Sequence, residues 1–579
     1  MAATHRCERT LRILAIPLIL AAPAGSVAAA VTYSGEVRAI LERHCVGCHH
    51  GAAGTSVALA TFEEARQHGA QMLAAIDNGS MPPWPVDTAR SARMRNDPRL
   101  SAAESEALRH WVNAGMPPGE SSAQSARSSE WTDVLQRAPD EVVSLPAISV
   151  PASGEIPYVR MLIKVPLDTD RWIAALQPLP GDPAVVHHMG IAEVSLPAGI
   201  GPAQVQQLQE VAAKLGLRGR SLVEATPAVA DPTSIGTYDM LAAYTPGDGF
   251  ESYPPGTGKL LRGGGNYYIN FNIHYTTTGT ATTDTSRIGL WFLKAPPQRQ
   301  LIRTPVPGHT LIAEGRELFP DDPGSKAEGT DVAIPPIPPN ANNYELIGVT
   351  AFERPVTLYS FQPHAHLRGK DFLYEVVYPD GRTRTLLSIP HYDYHMQLHY
   401  ELAEPVDLPA GAKLVVTAHY DNSPANKSLR EMAAKDLSGR CGPDKYAFFR
   451  SQNQTWDEMF SPLVQYGVRL QNKRDADRRA ALPLVVVEGC LIADDGPRWY
   501  LRRANTAQPT QTAAVSRAEF AAATPTSGAA SYLLIGASPF RPNSKVAQHV
   551  LVKGVRISQR PIDAINVTAV QDLGSACER

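Results

Sequence analysis

The chain has 579 residues, with 54 Lys and Arg against 57 Asp and Glu, so its formal net charge is −3. This balance argues against a nucleic-acid partner, because nucleic-acid-binding surfaces carry an excess of cations. At roughly 150 residues per domain, the length predicts about four domains. The 49 Pro and 43 Gly residues favour short strands joined by turns. We therefore expect a mainly β, multidomain protein.

Residues 1–30 have the pattern of an export signal. Three arginines precede an apolar run at 13–20, and small residues at 28–30 form a cleavage site. An uncleaved membrane anchor is the alternative, but Pro17 and Pro23 interrupt the apolar segment. No later segment has the ~18 uninterrupted apolar residues of a membrane span. We expect a periplasmic or secreted protein, with no membrane association beyond the signal.

Residues 31–120 predict a small α-helical domain built around one short motif. Helices are expected at 33–45 and from the N-cap Ser101 onward, and the first leads into the sequence CVGCH. In C-x-x-C-H, two thiols attach a c-type haem and the histidine ligates its iron. A zinc half-site is the competing interpretation, but no second C-x-x-C completes four ligands. Cys45, Cys48 and His49 therefore predict one covalent haem c in a cytochrome c domain.

The sixth iron ligand is predicted to be Met81, in the Pro-rich loop SMPPWP. A His/Met pair raises the haem potential toward electron transfer and leaves no open coordination position. The loop and the helix after it resemble small single-haem cytochromes, which supports Met81. The alternatives within the domain are Met72, Met94, Met116, His44, His50, His68 and His110.

The rest of the chain predicts β structure. A Ser-rich linker is expected at 121–140, and alternating apolar runs separated by turns then continue to about residue 480. We assign two antiparallel β-sandwich domains, at 141–320 and 321–480. A small C-terminal β barrel is expected at 481–579, where Cys490 and Cys577 are the preferred disulfide pair and Cys441 is left free.

Five histidines in the β region form a pattern. His187 and His188 are adjacent in one predicted strand, and His274 lies in another. His364 and His366, two residues apart, would share one face of a strand and chelate an ion. Adjacent histidines face opposite ways in a regular strand, so sharing a metal requires a β-bulge at 187–188. Neutral imidazole is a ligand for copper, zinc, nickel or iron.

A rival set of histidines occurs in HYDYHMQLHY. His391, His395 and His399 would lie on one strand face, but nothing else nearby supports a metal site there.

The motifs HHM, IHY, PHAHLRGK and QTWDEMF occur in this order over residues 150–480. In series they resemble the copper type II, ascorbate-dependent monooxygenases, the family of peptidylglycine α-hydroxylating and dopamine β-monooxygenases. The resemblance is greatest to the bacterial branch, through RGKDFxYxxxYPDG and YDNS. It implies two jelly-roll-like β-sandwich domains that carry two copper ions facing each other across a cleft.

The resemblance also implies the copper ligands. His187, His188 and His274 would hold the electron-storing copper. His364, His366 and Met459 would hold the copper at which O₂ binds and the substrate C–H bond is attacked. A thioether ligand such as that of Met459 favours Cu(I).

The chain departs from the peptide-hydroxylating members at several positions. They carry Arg where this chain has Gln362, Gln in place of Asn272, and Asn and Tyr in place of Ser461 and Leu463. Their several disulfides cannot form with three remaining cysteines. The resemblance therefore implies copper binding and not peptide amidation, and the substrate is left open.

Together these features predict an exported copper monooxygenase that hydroxylates a small organic substrate with O₂. Electrons from an external donor, an ascorbate-like reductant or a redox protein, would enter through the fused haem domain, which the linker would let swing. The alternatives are a haem–copper electron-transfer or copper-binding protein without hydroxylase activity, and a copper oxidase or dehydrogenase.

Overall fold

The computed structural model is mainly β, as the sequence predicts. The predicted signal and most of the predicted linker lie outside the described residues. The description excludes residues 1–30, 50–56, 121–136, 155, 157–158, 197–200, 202, 205–238, 246–248, 307, 309, 321, 323–326, 329–330, 333, 395, 435–438, 440, 448–455, 471–480, 495, 497, 526–527, 559–560 and 578–579. Among the described helices, none has the length and apolar character needed to cross a membrane.

The N-terminal module, residues 31–120, contains the helices of the haem motif. A π-helical turn at Tyr33–Val37 runs into α1 (Arg38–His44), and α2 (Phe62–Asp77) and α3 (Ala102–Asn113) follow. Ser101 and Glu104 form the predicted capping box of α3. The helices pack around a small core that includes Leu41, Met72, Leu108 and Trp111. This core holds the C-x-x-C-H segment at the end of α1.

The first sandwich packs two sheets around one apolar core. Its strands are β1 (Glu141–Ser144), β2 (Ile148–Val150), β3 (Val159–Lys164), β4 (Arg171–Leu179), β5 (Val186–Ser195), β6 (Asp239–Tyr244), β7 (Glu251–Ser252), β8 (Thr257–Leu261), β9 (Tyr267–Tyr275), β10 (Thr282–Asp284) and β11 (Arg287–Phe292). One sheet has the order β1-β11-β4-β8, with β7 on β4, and the other has the order β3-β9-β5-β6. β2 pairs with β10.

The second sandwich has the same two-layer construction. Its elements are β12 (Arg299–Pro305), β13 (Thr310–Ala313), β14 (Arg316–Glu317), β15 (Ala327–Glu328), β16 (Asp331–Val332), β17 (Tyr344–Ala351), β18 (Val356–Gln362), β19 (Gly369–Val377), β20 (Thr383–Ile389), β21 (Tyr400–Leu408), β22 (Lys413–Tyr420), α4 (Lys427–Ala433) and β23 (Leu463–Arg469). The sheets run β12-β23-β18-β21 and β14-β13-β17-β22-β19-β20, and β15 pairs with β16.

The two sandwiches share one nine-stranded sheet. β8 and β12 pair in parallel through Arg299 with Thr257 and through Gln300 with Gly258. Strands β12, β13 and β14 all pair with strands of the second sandwich. The change from one sandwich to the other therefore lies between β11 and β12, earlier than the boundary at residue 320 expected from the Pro-rich sequence.

The C-terminal segment forms a closed ring of pairings. Its elements are β24 (Leu484–Ala493), β25 (Trp499–Ala504), β26 (Gln508–Pro509), α5 (Arg517–Ala522), β27 (Ala530–Ile535), β28 (Gln548–Ile557) and β29 (Ala564–Ala576). The ring runs β25-β27-β29-β28-β24 and back to β25. The expected disulfide joins Cys490 to Cys577, and Cys441 is a buried thiol outside that disulfide.

This C-terminal unit shares a hydrophobic core with the second sandwich. Ile347, Val349 and Val415, on the outer face of β17 and β22, pack with Val550 and Val567 of the ring. The fully buried Lys413 donates from Nζ to the carbonyl oxygen of Gly536 at 2.6 Å and also to that of Val567. The unit is thus fixed to the sandwich. It is not the separate barrel that the sequence suggested.

Candidate metal centres

The first centre joins three imidazoles from two neighbouring strands. His187 and His188 lie on β5, and His274 lies directly opposite His188 on β9. The pairing register shifts between Val186 and His188, which is the irregularity that the sequence required. Because of this bulge both adjacent rings reach His274, and the three ligand nitrogens lie within 4.8 Å of one another. The Nδ1 atoms of His187 and His188 are 3.1 Å apart.

Burial keeps the rings of His188 and His274 neutral. Burial, together with the charges of His187 and His366, lowers the pKa of His274 to about 3. Burial likewise lowers the pKa of His188 well below its usual value, with added effects from His274, His187, His364 and His366. Neutral imidazole is the form that binds a metal ion, so this cluster could hold one.

The second centre lies in a loop and not in a strand. His364 and His366 follow the end of β18, so the expectation of one regular strand face is wrong. Their ring centroids are 5.5 Å apart, at an interplanar angle of 89°. The Nδ1 of His364 is 2.7 Å from Oε1 of Gln397, and the Nδ1 of His366 is 2.9 Å from the carbonyl oxygen of Asp457. These contacts fix each ring through Nδ1, the arrangement that is usual for metal-binding histidines.

A buried carboxylate ties this loop to the methionine segment. Glu458 is fully buried, and its Oε1 accepts the backbone N–H groups of His366 at 2.6 Å and Met459 at 3.0 Å. Its Oε2 accepts the N–H of Arg368 at 3.0 Å. Burial raises the pKa of Glu458 to about 7, against the opposing charge of Arg368. Met459 is itself buried, and Tyr420 donates its hydroxyl to the Met459 carbonyl at 2.9 Å. Glu458 therefore joins the backbone segments that carry His366 and Met459.

The two histidine groups come from different sandwiches but influence each other. His364 and His366 contribute to the lowering of the pKa of His188, of which burial is the main cause. The nearby junction is polar: Arg303 donates to Glu251 at 3.0 Å and to Gln362 at 2.8 Å. Gln362 lies two residues before His364. The side chain next to the second centre is therefore an amide that is hydrogen-bonded to Arg303, which is itself paired with Glu251.

The haem motif also has the geometry of a binding site. Cys45 and Cys48 are not joined in a disulfide, and the Nδ1 of His49 is 2.8 Å from the carbonyl oxygen of Val57, which fixes the ring as is usual for a metal-binding histidine. Met81 is half-buried after the end of α2. Two buried polar atoms, Nε1 of Trp84 and the hydroxyl of Tyr244, have no hydrogen-bond partner among the described residues. The residues present fit a covalent haem.

Several alternative sixth ligands have other contacts. Both ring nitrogens of His44 have partners, the carbonyl oxygen of Pro98 and Oε1 of Glu104. Met72 lies in the core of the N-terminal module, and Met94 lies in the core of the second sandwich. Three further candidates stand as follows: Met116 packs against α2 beside Gly69, His110 is exposed, and His50 lies outside the described residues. Met81 and His68 are both partly exposed.

The rival histidine set does not form a strand face. His391 and His399 lie in the loop before β21, and His395 lies outside the described residues. His391 is exposed, whereas His399 is buried with its Nε2 2.7 Å from Oγ of Ser360. This loop instead supplies Gln397, the partner of His364.

The residues that orient the ligands were missed by the sequence analysis. Glu458 and Asp457 were visible within QTWDEMF, directly before the methionine, but a carboxylate beside a ligand has no distinctive spacing. Gln397 comes from a loop more than thirty residues from His364, and no local pattern connects the two.

Comparison with known family models and with curated proteins finds no match for this chain.

Proposed function

We propose that the protein is an exported, copper-dependent monooxygenase that receives electrons through its own c-type haem. The observation that carries the proposal is the pair of histidine centres, one with three imidazoles and one with two imidazoles beside a buried methionine. Each would hold one copper ion. The resemblance noted in the sequence supports the same ligands, on two β sandwiches with jelly-roll-like character.

The overall reaction consumes two electrons and two protons: R–H, O₂, two electrons and two protons give R–OH and water. The copper ions would supply one-electron chemistry and O₂ activation, and the haem would supply electrons from an external ascorbate-like reductant or redox protein. The residues of the chain position these groups. Gln397 and the carbonyl of Asp457 fix the ring tautomers of His364 and His366. Glu458 holds the histidine and methionine segments in register.

The substrate proposed is a small organic molecule. At the position where the peptide enzymes carry Arg, Gln362 binds Arg303, whose charge is balanced by Glu251. Although burial acts to raise it, the charge of Arg303 leaves the pKa of Glu251 below its usual value, so the pair is ionic. We therefore do not propose that this arginine binds a carboxylate of the substrate.

Metal analysis together with oxygen uptake tests the proposal. We expect two copper ions per haem, and oxygen uptake matched by an oxygenated product. Met459→Ala should abolish both uptake and product, while the haem absorption spectrum stays unchanged. No copper after reconstitution would refute the assignment. Two copper ions with electron transfer but no oxygenated product would instead support an electron-transfer protein.

A further inference from the structure

The middle of the N-terminal module is bound to the second sandwich by backbone hydrogen bonds. We call residues 84–96, between Met81 and α3, the anchor segment. Its N–H groups at Asp87 and Ala92 donate to the carbonyl oxygens of Ser388 at 2.9 Å and Leu386 at 3.0 Å, at the end of β20. The anchor segment thus extends the sheet edge at β20.

The same segment continues onto β21. Arg95 N–H donates to the Glu401 carbonyl at 2.8 Å, and Ala403 N–H donates to the Arg93 carbonyl at 2.9 Å. These two bonds flank Met94, which forms an antiparallel bridge with Leu402. The bridge is therefore of the non-hydrogen-bonded kind, in which Cα atoms lie about 4.5 Å apart.

The anchor segment also contributes to a hydrophobic core outside its own module. Val86 and Met94 are buried in the core of the second sandwich, and the ring of Trp84 lies 5.2 Å from that of Tyr400. Such burial removes apolar surface that a detached module would expose to water, so detachment is unfavourable. The contact combines sheet pairing with core packing, as within a single domain.

The anchored module reaches a support of the second metal centre. Asn96 donates from Nδ2 to the His399 carbonyl at 2.7 Å, two residues from Gln397, which orients His364.

We propose that the haem-bearing module works from one fixed position, docked on the second sandwich by the anchor segment. The electron-transfer part of this inference rests on the proposed function. In it, one electron passes from Fe(II) of the haem to Cu(II) of the first centre, which gives Fe(III) and Cu(I). A swinging linker is not required.

A disulfide lock tests the fixed position. The distance at the Met94–Leu402 bridge lies within the ~4.4–6.8 Å range of disulfide Cα atoms, so M94C/L402C should cross-link in air without loss of haem. The single variants M94C and L402C control for the loss of core packing. If the module is fixed, the locked protein transfers electrons from pre-reduced haem to Cu(II) within about twofold of the single variants. Failure to cross-link, or a tenfold slower transfer only in the locked protein, would overturn the inference.

Docking can be measured without copper. In copper-free, haem-loaded protein, the amides of Ala92 and Arg95 should exchange with deuterium as slowly as those of β21, because each donates to a strand carbonyl. Rapid exchange confined to the anchor segment would overturn docking whether or not the protein binds copper. Slow exchange, together with failure of the same protein to bind copper on reconstitution, would instead refute the proposed function and leave docking intact.

Discussion

Replacement of Glu458 by Gln should loosen the second metal centre selectively. The carboxylate accepts three backbone N–H groups from two segments and lies beside the buried Arg368. An amide can keep Oε1 for His366 and Met459, but its NH₂ then faces the N–H of Arg368. The loss of one charge-assisted hydrogen bond costs about 1.5–3 kcal/mol.

The assay is copper titration combined with urea denaturation of the haem-loaded protein. We expect the affinity of one of the two copper ions to fall roughly 10–100-fold, as for the loss of other groups that orient metal ligands. Glu317→Gln is the control, because Glu317 is also buried, burial raises its pKa to about 7, and it accepts the N–H of Val570 at 2.8 Å far from the histidines. Equal copper affinities in both variants would refute the assigned role of Glu458.

Three further results are expected. Met81→Ala should change the haem spectrum and lower its potential, whereas Met94→Ala should leave the spectrum unchanged and destabilise the fold by about 2–5 kcal/mol in urea. Burial lowers the pKa of Lys413 from 10.5 to about 7, so stability is lost as pH falls toward 7. The free energy of unfolding should therefore rise by up to about 2 kcal/mol between about pH 7.5 and about pH 9.5. A flat pH profile in the native protein, with a slope only in Lys413→Met, would contradict this. Reduction of the Cys490–Cys577 disulfide, which closes a loop over a sequence separation of 87, should cost about 2–5 kcal/mol in thermal unfolding, and an unchanged midpoint would exclude that contribution.

Local patterns were sufficient where short-range chemistry determines structure. The capping box of α3 depends only on Ser101 and Glu104, and it is present. The bulge at His187 follows from the sequence if two adjacent side chains are to reach one point, and it is present. The mainly β class followed from the abundance of turn residues.

Contacts between distant segments were not predictable from local sequence. His364 and His366 have the two-residue spacing of a strand face, yet the strand ends at Gln362, and the rings are held from outside by Gln397 and the carbonyl of Asp457. The anchor segment follows directly from the loop SMPPWP, and only its pairing with β20 and β21 shows that it belongs to another core. The sequence suggested a swinging haem domain, and this pairing is the observation that argues against it.

The bulge on β5 also limits how such a centre could be transferred to another protein. Copying the His-His pair and its cross-strand partner onto a regular sheet would leave one ring on each face, because alternation is a property of the backbone. The register shift between Val186 and His188 is what converts an ordinary dipeptide into a chelating one. A designer would have to graft the backbone irregularity first and the imidazoles second, because the shift falls on the dipeptide itself.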